Sequence, residues 1–283
     1  MRRLNDLRSE LELSAVMVEL TSAFEGIAST RIAQIKDQVL RSGQFFDDLW
    51  RIYEQIRVGS SFNFGRTQRH AAINKELMIL ITSEGSFSGD IDQRLITEAL
   101  AHYNPLKNDI IVVGYHGIAQ LAQRRLQAKL NFKLPGSERN INIAPIVAQV
   151  QKYNSTVVYY QTYVSLMQQD VKTIALGATI ATRGANVKPG EEIISETNYI
   201  FEPSTLAVVG HLESAMTGIA LSEVILESKL AQYASRFRAM RLAHEKADDT
   251  HFDLNWTYSR AKRQLKDERL KEVINGLRQG GMI

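Results

Sequence analysis

Apolar residues near both ends of the chain recur at alternating steps of three and four, the spacing of one face of a helix. In the C-terminal part this face comprises Leu230, Tyr233, Phe237, Met240, Leu254, Tyr258, Ala261 and Leu265. In the N-terminal part it comprises Leu13, Met17, Leu20, Phe24 and Ile27, then, after a five-residue step, Ile32, Ile35 and Val39. Each stripe is narrow, which is typical of the seam of a coiled coil.

The distribution of helix-breaking residues supports long helices at both ends. All five prolines lie between residues 105 and 203, and residues 219–275 contain neither proline nor glycine. Because proline and glycine disfavour helix interiors by about 3 and 1 kcal/mol, one long C-terminal helix is predicted. A helix of that length with a narrow apolar stripe needs a partner along its side. We therefore predict that the N- and C-terminal helices form an antiparallel coiled coil.

Short apolar runs alternate with helical stretches in the middle of the chain. The predicted strands are residues 76–82, 109–117 and 156–164, with a further pair at 171–181 and 191–201, and the predicted helices are 91–103 and a stretch around 145–153. Strands that alternate with helices indicate a parallel sheet. The predicted fold class is thus α/β, with a Rossmann-like central domain between the two long helices.

These patterns divide the chain into four predicted segments. They are an N-terminal coiled-coil helix over 1–58, a linker over 59–75, the central α/β domain over 76–204 and a C-terminal coiled-coil helix over 205–283. The composition, 44% hydrophobic and 23% charged, is that of an ordinary folded protein. The charged N-terminus and the lack of any run of 18 apolar residues predict a cytoplasmic chain without a membrane span.

Candidate chemistry is sparse. Residues 83–90 hold two glycines but lack the Gly-Lys-Ser/Thr ending of a phosphate loop, and residues 114–117 are too short for a dinucleotide fingerprint. The same 83–90 segment lacks the Gly-x-Ser-x-Gly arrangement of a nucleophilic serine. No cysteine occurs, and the six histidines lack metal-ligand spacing. We predict no catalytic residues, no metal and no cofactor.

Positive charge is concentrated on the predicted C-terminal helix. The basic residues are Arg236, Arg238, Arg241, Arg260, Lys262, Arg263, Lys266 and Arg269. Three interpretations are open. The charges belong to a solvated helix face balanced by nearby acidic residues, or they face an acidic protein partner, or, less favoured, they bind nucleic acid.

Four short motifs, in order along the chain, carry a family resemblance. They are residues 20–31 (Leu-Thr-Ser-Ala-Phe-Glu-Gly-Ile-Ala-Ser-Thr-Arg), residues 199–204 (Tyr-Ile-Phe-Glu-Pro-Ser), residues 236–241 (Arg-Phe-Arg-Ala-Met-Arg) and residues 258–270, which begin Tyr-Ser-Arg-Ala-Lys-Arg. Residues 82–89 also look like a decayed form of the family's Ser-Asp-Arg-Gly loop. With the long helical ends, the chain resembles the gamma subunit of F-type ATP synthases along almost its whole length.

The resemblance implies a non-catalytic rotor subunit. By family, the coiled coil turns inside a ring of alternating alpha and beta subunits, while the α/β domain stands on the membrane c-ring with the epsilon subunit, at the cytoplasmic face of the cell membrane. Nucleic acid is not an implied partner. The implied ring contacts are Phe24, Glu25, Arg236, Arg241, Lys262, Arg263, Asp267 and Arg269, and an apolar tip in a bearing comprises Leu270, Val273, Ile274 and Leu277, with Met282 and Ile283 beyond them.

The chain departs from the family pattern at several implied contacts. Lys262 and Arg263 stand where the family has Arg-Gln, and Asp267 and Arg269 stand where it has Thr and Glu. An alternative interpretation is therefore a gamma-derived coiled-coil shaft or scaffold of a specialised ATPase complex, not coupled to a standard ion-translocating rotor. A free-standing enzyme is a third and weaker interpretation.

Overall fold

The computed structural model describes residues 4–55, 73–85, 87–134, 142–185, 200 and 202–279. Two long helices begin and end the chain, α1 (Leu4–Gln55) and α6 (Thr205–Gln279). Between them lie β1 (Ile73–Ile81), α2 (Ile91–Ala101), β2 (Asn108–Val113), α3 (Tyr115–Gln123), β3 (Leu130–Phe132), α4 (Ala144–Val150), β4 (Tyr153–Tyr163), β5 (Gln169–Ala175) and α5 (Leu176–Ala185). The predicted strand at 191–201, apart from Ile200, and the tip residues Met282 and Ile283 lie outside the described residues.

The described strands form one five-stranded sheet in the order β3-β2-β1-β4-β5. β1 pairs in parallel with both β2 and β4, and β2 pairs in parallel with β3. The α/β prediction is confirmed, but β5 runs antiparallel to β4, so the sheet is mixed. The predicted strand at 171–181 is wrong in its second half, because Leu176 and Ile180, four residues apart, are both buried on one face of α5.

Apolar residues of β1 alternate between two cores on opposite faces of the sheet. Leu77, Ile79 and Ile81 belong to one core, and Met78 and Leu80 belong to the other. The first core also contains Phe46 and Trp50 of α1 and a row of α6 residues, namely Val209, Met216, Leu221 and Ile225. Burying each such side chain contributes about 1.5–3 kcal/mol, so both terminal helices are integral to this core.

The chain divides into two compact units. The first unit contains, among the described residues, 4–27 of α1 and 237–279 of α6. The second unit covers residues 28–236 and includes the sheet with the remainder of both long helices. Each long helix therefore contributes residues to both units.

The two helices run antiparallel within the first unit, as predicted. Ser14 Oγ lies 2.9 Å from Nδ1 of His251, and Thr21 Oγ1 lies 3.3 Å from Nδ1 of His244. A step of seven residues forward on α1 thus corresponds to a step of seven backward on α6. Nδ1 of His244 also lies 3.2 Å from the carbonyl oxygen of Val18, to which it donates when protonated at that nitrogen.

The face by which α1 packs differs from the predicted one in its first half. The buried positions recur every seven residues, at Leu7, Ser14, Thr21, Ala28 and Ile35. The predicted seam residues Leu13, Met17, Leu20 and Ile27 are exposed, Leu13 by 66% of its surface. The prediction from apolar residues was wrong here because the packed face includes the small residue Ala28 and the hydroxyl-bearing residues Ser14 and Thr21, which lie within hydrogen-bond distance of histidines. The second half of the stripe is confirmed, since Ile32, Ile35 and Val39 pack with Leu226 and Leu230.

Candidate functional site

The predicted contact residues of α6 in the first unit lie on its surface. Arg241, Lys262, Arg263, Asp267 and Arg269 are all exposed. Arg241 pairs with Glu245 at 3.4 Å, one turn further along the helix. An exposed pair of this kind contributes well under about 1 kcal/mol, so it does not compete strongly with an external partner. The charged face is therefore available for binding.

Exposed apolar side chains accompany these charges. The predicted tip residues Leu270, Val273, Ile274 and Leu277 are all exposed, whereas Phe24 and Glu25 on α1 are half-buried. A second exposed apolar stripe follows α1 and consists of Leu13, Val16, Met17, Leu20 and Ile27. Contiguous exposed apolar residues at helical spacing are typical of an interaction surface.

Arg236 has different surroundings from the other predicted contacts. It is half-buried in the second unit, with its guanidinium carbon 5.1 Å from the centre of the Tyr233 ring. Its Nη2 lies beside the loop after β1, where a Cβ added to Gly85 would come within 3.1 Å of it. Glycine at this position lets the guanidinium lie directly over the loop.

A buried carboxylate, Asp92 at the start of α2, organises the carboxyl end of β1. Only 2% of its surface is exposed. It accepts hydrogen bonds from the backbone N–H of Ser83 at 3.1 Å, from the Ser83 hydroxyl and from Nε2 of Gln161 at 2.8 Å. His116 Nδ1 lies 3.1 Å from the same carboxylate, and Ser88 Oγ lies 3.4 Å from it. Several donors therefore compensate the desolvation of this charge.

The network continues from Asp92 to α6. Gln161 Oε1 accepts hydrogen bonds from the Ser228 hydroxyl and, at 3.2 Å, from Gln232 Nε2. Ser235 Oγ donates to the carbonyl oxygen of Ser88 at 2.7 Å. We call this buried network the polar clamp; it comprises Ser83, Ser88, Asp92, His116, Gln161, Ser228, Gln232 and Ser235. It fastens α6 to the 83–90 loop and to β4 within the second unit.

The geometry of the polar clamp argues against serine nucleophilic chemistry. The Ser83 hydroxyl and the His116 ring both bond to the Asp92 carboxylate. A serine nucleophile needs the imidazole as its base and the carboxylate behind the imidazole. The 83–90 segment, which lacks the sequence pattern of a phosphate loop or of a nucleophile loop, instead contributes the Ser83 and Ser88 hydroxyls and the Ser88 carbonyl to the network that binds α6. Sequence missed the cluster because its members come from distant parts of the chain.

The crevice used for ligands in related sheets is filled by the chain itself. In open α/β sheets, ligands bind at the carboxyl ends of strands where the strand order reverses, which here is between β1 and β4. Side chains of the polar clamp from α2, β4 and α6 occupy that position. At the neighbouring β2 end, Glu84 Oε2 accepts a hydrogen bond from the backbone N–H of Tyr115 at 2.8 Å, at the first turn of α3.

Gly114 and Gly117 have a structural role in this region. Gly114 has φ of +107°, and a Cβ added there would lie 2.1 Å from the carbonyl oxygen of Thr82. The backbone N–H of Gly117 donates to Thr82 Oγ1 at 2.9 Å. The two glycines thus let the β2–α3 turn approach the end of β1.

Within 4–55, 73–85, 87–134, 142–185 and 202–279, no group of three or more His, Cys, Asp or Glu side chains is arranged to hold a metal ion. None of the helices that the structure describes is both long and apolar enough to cross a membrane.

Known proteins of one family match this chain over nearly its full length. The family model described as ATP synthase matches residues 3–278. The ATP synthase gamma chain of Chlorobaculum tepidum is 25% identical and aligns over 98% of both chains, and that of Fusobacterium nucleatum is 23% identical over 96% of this chain and 98% of the relative.

Solved structures show the same fold. A chain of the Euglena gracilis mitochondrial ATP synthase, from the OSCP/F1/c-ring assembly, matches with a TM-score of 0.64 and 15% identity over 97% of this chain and 93% of that chain. A chain of the Tetrahymena thermophila mitochondrial ATP synthase, from the central stalk and c-ring, matches with a TM-score of 0.55 and 17% identity, covering 79% and 99%. With its long terminal helices, its α/β sheet and a family match over residues 3–278, this chain belongs to the ATP synthase gamma-chain family.

Proposed function

We propose that this chain is the central-stalk rotor subunit of a rotary F-type ATPase. It couples rotation of a membrane ion-driven ring to ATP synthesis or hydrolysis in a ring of alpha and beta subunits. Family membership and the antiparallel pairing of α1 with α6 in the first unit support this proposal. The proposal depends chiefly on the pairing of α1 with α6, because two helices packed along a seam make a stiff rod suited to turning inside a ring.

The surface of the helix pair suggests how rotation is coupled to catalysis. Leu13, Met17 and Leu20 form part of an exposed apolar stripe on α1, whereas Lys262 and Arg263 give α6 a charged surface. A catalytic subunit that meets one surface and then the other experiences different contacts at different rotor angles. Contacts that differ between two conformations shift the balance between them, and this links rotor angle to nucleotide affinity.

The partners and location follow from the same proposal. We infer that the chain assembles with alpha, beta and epsilon subunits and with the membrane c-ring, as a peripheral subunit at the cytoplasmic face of the cell membrane. Its own role is mechanical, and catalysis belongs to the complex.

The contact residues stay predictions. We propose that the alpha/beta ring meets Phe24, Glu25, Arg236, Arg241, Lys262, Arg263, Asp267 and Arg269, and that Leu270, Val273, Ile274 and Leu277 seat in an apolar bearing. Exposure of the α6 members other than Arg236 supports this assignment. Arg236 is the least accessible of the basic members, since it lies against Tyr233 and the Gly85 loop.

The alternative is a gamma-derived scaffold of a specialised ATPase complex. The replacements at Lys262, Arg263, Asp267 and Arg269 favour it, because contacts built on them need a partner with matching charges. The polar clamp favours the rotor, because a helix fastened to the sheet through buried hydrogen bonds is suited to transmitting torque.

Co-purification separates the two functions. A tagged chain isolated from its native cells should bring alpha-like and beta-like subunits and ATPase activity if it is a rotor. A chain recovered without those subunits would contradict the rotor and favour the scaffold.

Charge reversal tests the proposed contacts in the assembled complex. We expect the double variant K262E/R263E to fold normally, because both side chains are exposed, and to slow ATP-driven rotation. The matched control is K107E/K152E, which reverses two exposed charges in the second unit. Wild-type turnover and torque in K262E/R263E would refute the contact assignment.

A further inference from the structure

A tight turn between α2 and β2 holds Leu106 out in water at the amino-terminal edge of the sheet, opposite the polar clamp. Leu106 is 84% exposed. Its backbone N–H donates to Asn104 Oδ1 at 3.0 Å, and the backbone N–H of Asn108 donates to the carbonyl oxygen of Asn104 at 2.8 Å. Lys75 Nζ donates to the carbonyl oxygen of Pro105 at 3.2 Å. These bonds fix the turn, so the leucine is displayed on a rigid support.

Two exposed lysines lie on either side of β1 at this edge. The carbonyl oxygen of Lys107, which follows Leu106, accepts a hydrogen bond from the N–H of Glu76 at 2.9 Å. The carbonyl oxygen of Lys152, just before β4, accepts one from the N–H of Ile73 at 2.7 Å. Since β2 and β4 both pair in parallel with β1, these bonds place the two lysines at the same end of the three strands.

Two exposed arginines, Arg124 and Arg125, follow α3 at the same edge. Arg124 Nη2 donates to Thr97 Oγ1 of α2 at 3.0 Å, about one turn before α2 ends at Ala101 and the chain enters the Leu106 turn. After Arg125 the chain continues to β3, which pairs in parallel with β2 and therefore also begins at this edge. The arginines extend the basic surface from the strands to α2.

Positive charge at this edge exceeds the negative charge. Lys75 and Lys129 share one carboxylate, that of Asp109, at 3.1 and 2.5 Å. The other four cations make no ion pair among the residues that the structure describes, since Arg124 bonds to a hydroxyl and Lys152 to a side-chain amide oxygen. Six cations and three carboxylates give the described part of the edge a net charge of +3. The cations are Lys75, Lys107, Arg124, Arg125, Lys129 and Lys152, and the carboxylates are Glu76, Glu98 and Asp109.

A membrane surface with anionic lipids fits this combination of groups. Each Lys or Arg near such a surface strengthens binding about fivefold. A leucine adds to the binding by entering the boundary between headgroups and acyl chains. Nucleic acid offers phosphates but no apolar layer for an aliphatic side chain, and an acidic protein would need a pocket positioned for Leu106. The membrane is the partner that satisfies both features.

We propose that this edge is a docking surface for anionic lipid headgroups, with Leu106 inserted among them and Lys107, Arg124, Arg125 and Lys152 as the cations. We call these five residues the basic edge. The contact is weak and reversible, because a single leucine with a few cations falls short of a stable lipid anchor. The inference goes beyond the proposed function and does not rest on it. Rotation measured on a lipid-free complex leaves the basic edge without a membrane, so K107E/K152E stays a suitable control for that measurement.

Sedimentation of the purified full chain with vesicles tests the proposal. The vesicles consist of phosphatidylglycerol and phosphatidylcholine in equal parts, or of phosphatidylcholine alone. We expect binding to the anionic vesicles to be at least about tenfold tighter, and to be lost when salt rises from about 0.1 M to about 0.5 M. Equal binding to both kinds of vesicle, or binding to neither, overturns the proposal. Binding of poly-glutamate without binding of vesicles would replace the membrane by an acidic protein surface.

Variants at exposed positions identify the residues responsible. L106S should weaken vesicle binding about fivefold or more, because it removes the apolar group and leaves every charge in place. K107Q/R125Q should weaken it about 25-fold, through the loss of two cations. The matched control K36Q/K172Q removes two exposed cations elsewhere in the second unit and should change binding less than about threefold. Unchanged binding in L106S or K107Q/R125Q, or an equal loss in the control, contradicts the assignment.

A fluorescent probe shows which surface meets the lipid. The chain has no cysteine, so single-cysteine variants can be labelled at one position. An environment-sensitive dye on L106C should shift to the blue with anionic vesicles, because its position enters a less polar layer. The same dye on Q264C, an exposed position between basic residues of α6, should not shift. A shift at Q264C without one at L106C would mean that the basic face of α6 binds the vesicles, and would overturn the proposal.

Discussion

Ser235 on α6 donates a hydrogen bond to the backbone carbonyl of Ser88, 147 residues earlier in the chain, at 2.7 Å. Both residues are almost completely buried. The bond joins the middle of the long C-terminal helix to the loop that follows β1. Because the carbonyl is shielded from water, loss of this hydroxyl removes a hydrogen-bond partner that water cannot readily replace.

Replacing Ser235 by alanine should therefore destabilise the protein. An unsatisfied buried acceptor costs about 1–3 kcal/mol, and we expect the free energy of unfolding to fall by that amount. Urea unfolding followed by circular dichroism measures it. The control is S9A, an exposed serine of α1, which should change stability by no more than about 0.5 kcal/mol. A loss in S235A no larger than in S9A would mean that the hydrogen bond does not hold the helix.

Asp109 makes stability depend on pH in the acid range. Burial raises the pKa of its carboxyl, but hydrogen bonds from Lys129, Tyr153 and Lys75 outweigh that effect and lower the pKa from 3.8 to about 2. A lowered pKa in the folded state stabilises the protein fully above the unfolded value of 3.8. This contribution is lost as the pH falls towards about 2.

D109N should reveal that contribution. At neutral pH the variant should be less stable than wild type by up to about 2 kcal/mol, and the difference should shrink as the wild-type carboxyl becomes protonated. Unfolding curves of both proteins, recorded from neutral pH to the acid limit of folding, give the difference directly. A gap that stays constant through the acid range would show that the loss comes from packing and not from charge.

The position of the seam on α1 can be tested by two alanine substitutions. Ile35 is fully buried and packs with Leu226 and Leu230, whereas Leu20 is exposed. We expect I35A to cost about 2–4 kcal/mol and L20A to cost less than about 1 kcal/mol. Thermal or urea unfolding measures both. A loss in L20A as large as that in I35A would mean that Leu20 is also packed in the isolated chain, which would contradict its exposure.

Gly114 is the most constrained glycine among those described. G114A would place a methyl group 2.1 Å from the Thr82 carbonyl oxygen, at a φ of +107° that L residues rarely adopt. We expect the second unit to lose more than about 3 kcal/mol or fail to fold. G177A is the control, because a Cβ there meets nothing within 4 Å and alanine favours a helix by about 0.5–1 kcal/mol. Soluble yield and the unfolding midpoint compare them, and a stable G114A would contradict the close approach.

The sequence predicted those features that depend on local pattern. The freedom of residues 219–275 from proline and glycine correctly indicated one helix, and the apolar runs correctly located β1 and β4. Hydrogen bonds between side chains that are distant in the sequence were not predictable in this way. The sequence pattern does not predict that Ser14 and Thr21 lie in the seam, because their burial depends on histidines more than 200 positions away.

The polar clamp was missed for a related reason. Asp92, Gln161 and Ser228 come from three different elements, and each is an ordinary polar residue in its own segment. Their burial becomes evident only once the sheet brings the carboxyl end of β1 against α6. The predicted strand at 171–181 failed differently, since the alternation of Val171, Thr173 and Ala175 ends where the helical pair Leu176 and Ile180 begins.

The shared core of the second unit has a consequence for biosynthesis. Phe46 and Trp50 pack in the same cluster as Val209, Met216 and Ile225. A ribosome must therefore complete most of the chain before that core can close, and until then one apolar face of β1 is covered only in part. Nascent chains with long-lived exposed apolar surface depend on chaperones to avoid aggregation. We expect truncation before Val209 to leave a protein that aggregates, even though every strand of the described sheet is present.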